Sequence, residues 1–218
     1  KLTDPGIYLS YVMEATGVYH ERLAYFLEEK GQAVSIVLPS KISHYARTLD
    51  VKTITDKTAS EAIARFGAER KLDQWKRPKA IFKKLRQLTR ERDQVVAERT
   101  VAKNQLHAEL AEAEPGKSSV DRIKKKVAFF DKQEKEIMTE LKVVMSADDE
   151  IKRQVALICT IPGVGLLTAI IVLAETNGFE LIRNKRQLVS YAGMDVREKQ
   201  SGTSVRGKPR IKKKGNRY

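Results

Sequence analysis

The chain has 218 residues, with 42 Lys and Arg against 28 Asp and Glu, a formal net charge of +14. A single cysteine, Cys159, excludes an internal disulfide framework and a multi-cysteine zinc site. The longest apolar run, Leu166 to Ala174, is too short to span a bilayer, and no signal-peptide pattern is present, so the expectation is a soluble cytoplasmic chain with no membrane partner.

The charge is uneven. Residues 1–79 carry 13 basic and 10 acidic side chains, residues 80–175 carry 17 and 15, and residues 176–218 carry 12 and 3. A net +9 concentrated in the last 43 residues is the footprint of a polyanion partner, nucleic acid first.

In chain order, Ile7 to Met13 forms an apolar run that ends at Glu14, and its composition predicts a buried strand. Ala15-Thr16-Gly17 predicts a tight turn, Val18 to Lys30 a helix closed by Gly31, and Ala33 to Leu38 a second strand stopped by Pro39. Ser40 is the expected cap of a short helix reaching Leu49, and Thr55 to Arg70 predicts a further helix. Strand, helix, strand, helix is an α/β pattern with parallel pairing and a right-handed crossover. Glu14 ends its strand at the edge where open α/β sheets bind ligands. Asp56, at the start of a helix, can approach the same edge, and two such carboxylates can hold Mg²⁺ beside a phosphate. Capping of its own helix is the simpler role for Asp56.

The middle of the chain carries two heptad ladders. The first is Ile81, Leu85, Leu88, Arg92, Val95, Arg99, Ala102 and Leu106; the second runs from Val120 through Val127, Phe130, Glu134, Ile137 and Leu141 to Val144. A second-ladder continuation reaches Ile151, Val155 and Ile158 after an acidic break at Asp148. Alternating steps of three and four keep one narrow seam on each helix, a stripe that suits a partner helix. Glu114-Pro115-Gly116 separates the ladders, and Ser118 or Ser119 is the expected cap of the second helix. The reading is a long helical hairpin, either an intramolecular stalk or one that also joins copies of the chain as a dimer or tetramer.

Pro162-Gly163-Val164-Gly165 then lies between two apolar helical stretches, as in a helix-hairpin-helix, where Gly163 and Gly165 would let backbone N–H groups approach phosphate; a plain helix connection is the alternative. A helix over Arg183 to Ala192 ends at Gly193. From Asp195 the chain is polar and basic, with Lys199-Gln200-Ser201-Gly202-Thr203-Ser204 followed by Arg206, Lys208, Arg210, Lys212, Lys213, Lys214 and Arg217. This end is expected to be a flexible loop contacting a nucleic-acid backbone, or one presenting a serine nucleophile among phosphate-binding cations.

Three stretches together resemble one family: Val12 to Tyr19, Thr55 to Ala64, and the combination of Ile161 to Gly165 with Tyr191 to Met194 and Lys214 to Tyr218. They resemble the DEDD-type insertion-sequence transposases related to the Piv DNA invertase. That resemblance implies a RuvC-like (RNase H-type) α/β domain over 1–79, a coiled-coil hairpin over 80–156 and a small helical C-terminal transposase domain over 157–218. It implies a DNA recombinase that cleaves and exchanges strands, with a guide (bridge) RNA as partner, in a bacterial or archaeal cell and associated with the nucleoid. Glu14 falls on the family's glutamate and Asp56 on its third acid, with Mg²⁺ between; Ser201 falls on the proposed nucleophile, with Ser204 as the alternative. Two positions depart from the pattern. The fourth acid falls on Ala59, whose methyl cannot ligate a cation, and the first aspartate has no counterpart, Asp4 lying in a Thr-Asp-Pro turn. A fragment or a catalytically impaired nucleic-acid-binding scaffold is therefore the alternative to an active recombinase.

Overall fold

The computed structural model describes residues 9–49, 53, 55–180, 182–198, 200, 201, 205–212, 215, 216 and 218, with the backbone alone at 200, 201, 205 and 206. The chain folds as two compact units, Lys1–Arg77 and Pro78–Tyr218.

In the first unit, β1 (Ser10–Glu14) pairs in parallel with β2 (Ala33–Val37), and Glu14 stands opposite Val37. The helix α1 (Glu21–Glu29) makes the crossover; α2 (Pro39–Thr48) and α3 (Asp56–Glu69) follow. Successive side chains of a strand point to opposite faces, and both faces of this pair are covered. Tyr11, Met13, Val34 and Ile36 pack with Ala24 and Leu27 of α1 and with Trp75. On the other face α3 comes so close that a Cβ on Gly67 would lie 2.5 Å from Cγ2 of Val12. Burial on both sides is why these strands lack an alternating pattern. After α3 the chain returns along β2: the Trp75 backbone N–H donates to the Val34 carbonyl at 2.7 Å, and the Trp75 ring stacks on Tyr25.

Three boundaries differ from expectation. The first helix starts at Glu21, because Gly17 at φ +55° begins a turn that runs through His20. Pro39 opens α2 as its first residue, with extended Leu38 before it, so Ser40 is not the cap; proline's fixed φ suits that position and its missing N–H costs nothing there. Thr55, not Asp56, caps α3. Its hydroxyl accepts from the Thr58 N–H while the Thr58 hydroxyl accepts from the Thr55 N–H. Ile7 and Tyr8, expected in the first strand, lie outside the described residues.

The second unit is built on α4 (Ala80–Leu110) and α5 (Lys117–Ser146), an antiparallel pair. At about 1.5 Å per residue the 31 residues of α4 reach roughly 45 Å. The predicted seam is the contact: Leu85, Leu88, Val95 and Ala102 bury against Phe130, Ile137 and Leu141. Each ladder's partner is thus the other ladder of the same chain. The charged seam positions match one another. Arg92 donates two hydrogen bonds to Glu134, and Arg99 pairs with both Glu134 and Asp131. Gly116 precedes α5 without a side-chain cap, so neither Ser118 nor Ser119 serves as one.

Asp148, the acidic break, accepts from the N–H groups of Glu150 and Ile151 and caps α6 (Asp149–Cys159). Next, α7 (Leu166–Glu175) buries Ala169, Ile170, Leu173 and Ala174 in the same core as Phe82 and Leu85 of α4. It ends in a turn where Asn177, Gly178 and Phe179 all have positive φ; a Cβ on Gly178 would meet the Phe82 ring at 2.5 Å. α8 is shorter than expected, Lys185–Tyr191, capped by Asn184 and closed by Gly193 at φ +72°. The basic end is a correction to the expected flexible loop. β3 (Val196–Arg197) pairs antiparallel with β6 (Arg210–Ile211), and β4 (Gln200–Ser201) with β5 (Val205–Arg206). Val196, Val205 and Ile211, each beside an arginine, carry the β-branched, period-two signal for this ribbon.

Glu134 yields a prediction. Burial opposes its ionisation, but hydrogen bonds from Arg92 and Arg99 outweigh that and hold its carboxyl below the usual 4.5. A depressed folded-state value gives stability that is present above the unfolded value and lost as pH falls through the folded one. The Tm should fall on acidification below pH about 4.5, and Glu134→Gln should melt lower at neutral pH yet lose less on acidification, as followed by circular dichroism.

Candidate functional site

β1 delivers Glu14 to the carboxyl end of the sheet, where its carboxylate accepts from the Thr16 hydroxyl at 2.9 Å. There it lines a pocket of about 330 Å³ between α2 and α3. From α2 come Ser43 and Arg47, and from α3 Thr58, Ala59 and Ala62. Glu14 and Ala59 thus face one cavity. Asp56 is exposed and does not line it, although it lies three residues before Ala59 and so on the same side of α3. Among the described residues no three His, Cys, Asp or Glu side chains gather closely enough to hold a metal ion. One carboxylate, one guanidinium and a methyl do not make a cation site, so the residues present do not fit Mg²⁺ as they stand. Arg47 is the pocket residue that sequence reasoning passed over; its register with Ser43 on one face of α2 was the available signal.

In the second unit the turn between α6 and α7 has Gly163 at φ +84° and extended Gly165. Both are exposed, a Cβ on either would meet nothing within 4 Å, and α7 has no side-chain cap. The first N–H groups of this ten-residue helix therefore have no capping side chain among the described residues.

Of the predicted basic contacts, Lys208, Arg210 and Lys212 are exposed on and beside the ribbon, and Arg206 lies in β5. Ser201 occupies β4. Ser204, Lys213, Lys214 and Arg217 lie outside the described residues.

A buried polar clasp, not foreseen from sequence, ties the chain's last residues to this unit. Glu175, at the end of α7, is 3% exposed. Arg90 of α4 grips it with two hydrogen bonds of 2.8 Å, and the Asn216 amide donates to it at 2.7 Å. Asn216 also donates to the Tyr191 hydroxyl, which in turn donates to the Glu175 carbonyl at 2.6 Å. The Tyr218 ring lies under the Arg90 guanidinium at 4.5 Å. Burial raises the Glu175 pKa, but Arg90 and Asn216 outweigh it and the carboxyl is held below its ordinary value; burial pushes the Tyr191 phenol up. Gly215 lies against the backbone of Gly193, where a side chain would collide.

The chain matches known proteins over two stretches. A transposase model of the IS110 DEDD type matches residues 8–115, and the model of the transposase IS116/IS110/IS902 family matches residues 155–218. The chain belongs to the IS110 family of transposases. It is 28% identical over 197 residues to a pilin gene-inverting protein of Moraxella bovis and 28% identical over 200 residues to that of Moraxella lacunata. Each similarity covers 90% of this chain and 59% of the relative, so the chain spans about three fifths of the curated relatives it matches. The first family match takes in the Glu14 pocket, and the second takes in the glycine turn, the clasp and the basic ribbon. Among the described residues, no helix is long and apolar enough to cross a membrane.

The clasp sets a measurable cost. Arg90→Ala leaves Glu175 buried without its cation, which should destabilise the second unit by about 3 kcal/mol, the low end for breaking a buried pair because Arg90 is partly open to water. Arg90→Met combined with Glu175→Leu should recover much of that loss in urea unfolding.

Proposed function

We propose that this chain acts in DNA strand cleavage and exchange for a mobile element, as a recombinase with a serine nucleophile. The observation that carries the reading is the pair of IS110-family matches, over residues 8–115 and 155–218, with Glu14 and Ala59 facing one pocket in the first and the basic ribbon in the second. The two-faced parallel strand pair supports a RuvC-like reading of the first unit. In this reading the Ser201 hydroxyl oxygen bonds to the phosphorus of a phosphodiester and gives up its proton, while one P–O bond to a deoxyribose breaks. That sugar oxygen takes up a proton and leaves as a free hydroxyl end, and the other strand end stays linked through the serine phosphodiester. Arg206, Lys208, Arg210 and Lys212 hold the backbone, as Lys213, Lys214 and Arg217 would, and the first N–H groups of α7, reached past Gly163 and Gly165, receive a further phosphate. An element-encoded guide RNA would select the DNA, and the hairpin as a coiled coil would join copies of the chain. The name of the Moraxella relatives, gene-inverting proteins, supports DNA rearrangement as the reaction class. Action at the nucleoid in the cytoplasm follows from such a substrate.

The second reading, an impaired scaffold that binds nucleic acid without cutting it, is favoured by Ala59. Mg²⁺ held by Glu14 and Asp56 would call for a further carboxylate at position 59.

Two experiments separate the readings. With a radiolabelled DNA carrying the element's end, the wild-type chain should form a covalent protein–DNA adduct resistant to denaturing electrophoresis, and Ser201→Ala should abolish it while retaining binding in a gel shift. An adduct undiminished in Ser201→Ala removes that serine from the mechanism. For the acidic site, Ala59→Asp should raise Mg²⁺-dependent cleavage at least tenfold; equal cleavage by the two proteins means position 59 plays no part in metal binding.

A further inference from the structure

The Glu14 pocket holds a charge arrangement unlike that of a metal site. Its lining carries one carboxylate, Glu14, and one guanidinium, Arg47, so its formal charge is zero. The hydroxyl-bearing residues Ser43 and Thr58 line it as well, and the rest of the wall is apolar and mostly small, with Ile42, Ala46, Ala59 and Ala62. Helical spacing explains why α2 supplies the cation: Ile42, Ser43, Ala46 and Arg47 recur at steps of three and four and lie on one side of the helix. Arg47 is exposed and has no carboxylate partner among the described residues. Other arginines of this unit are used differently; Arg77 pairs with Glu28 and Glu29 and covers the Tyr25 ring.

A guanidinium presents a planar fork of donors that matches two oxygens of a phosphate. A pocket of about 330 Å³ is at the small end of the roughly 300–1,000 Å³ range of ligand sites, large enough for one sugar–phosphate unit. The methyl groups of Ala46, Ala59 and Ala62 can meet sugar carbons. A carboxylate at position 59 would repel a phosphate placed there unless a cation bridged the two; the Ala59 methyl removes that repulsion.

We propose that Arg47 grips one phosphodiester of a nucleic-acid strand in this pocket, and that with alanine at position 59 it does so without a bridging divalent cation. This rests on the reading that the chain binds nucleic acid. Arg47 thereby does at the pocket what a metal would do in a fully acidic site: it offsets the charge of the phosphate beside Glu14.

The test is fluorescence anisotropy of the full chain with a fluorescein-labelled nicked DNA duplex, titrated over a NaCl series in EDTA. Each phosphate neutralised by a cationic side chain contributes about 0.9 to the slope of log K against log salt. Arg47→Ala should lower the magnitude of that slope by about 0.9. Arg47→Lys should keep the slope and bind several-fold more weakly, because an ammonium lacks the fork. Arg22→Ala, an exposed arginine on α1 outside the pocket, should leave the slope at the wild-type value. Duplex binding with an unchanged slope in Arg47→Ala would overturn the assignment and leave the nucleic-acid reading standing. An equal drop in Arg22→Ala would overturn the pocket as the place of contact. A difference between wild type and Arg47→Ala that vanishes in EDTA and returns with Mg²⁺ would overturn the metal-free contact. A wild-type chain that fails to bind the duplex at all would overturn the nucleic-acid reading and this inference with it.

Discussion

A carboxylate removed from water must be met by a cation and by hydrogen-bond donors, and Glu175 is the place where the second unit answers that demand. It closes α7 at a point where the preceding side chains, Leu173 and Ala174, are fully buried, so it has little room to turn outward. Arg90 reaches it from α4, Asn216 from the end of the chain, and Tyr191 adds a hydrogen bond to its backbone from α8. Arg90 and Asn216, far apart in sequence, converge on one charge, and Tyr191 fixes the backbone that carries it. The basic ribbon is strung between Gly193 and Gly215, which lie against each other, so its root is fixed by the same cluster.

The hairpin seam applies the same rule with more exposure to water. Arg92 and Arg99 would weaken an apolar seam if unpaired, but Glu134 and Asp131 stand opposite them. Apolar layers slide past one another at small cost; an ion-paired layer between Val95 and Phe130 on one side and Leu88 and Ile137 on the other favours a single register. The seam is thereby occupied within one chain, and any contact between copies must use other faces of α4 and α5.

In the first unit the organising constraint is close approach. A two-stranded parallel pair is stable only if both faces are covered. Gly67 allows α3 to touch Val12, and Trp75 closes the opposite face while bonding to the edge of β2. Covering the sheet in this way carries the first turns of α3 past the carboxyl end of β1. The pocket is a by-product of that packing, which is why Glu14, Arg47 and Ala59, drawn from three elements, share it.

Local pattern was enough for most of the elements, though the strands of the basic ribbon were read as a loop. The α/β start of the chain, both heptad ladders, the Thr55 helix start, the break at Asp148 and the glycine turn before Leu166 follow from spacing and capping chemistry, which act over a few residues and leave their mark in order. Family membership was legible for the same reason, in short motifs read in sequence. Tertiary structure alone decided which charges meet. That Arg90 finds Glu175 and Asn216, that Arg99 finds Asp131, and that Arg47 rather than Asp56 lines the Glu14 pocket depends on how elements tens of residues apart pack together. A side chain's periodicity tells which face of its own helix it occupies; which partner waits across that face is set by the balance of desolvation and pairing in the assembled core, and no local pattern encodes it.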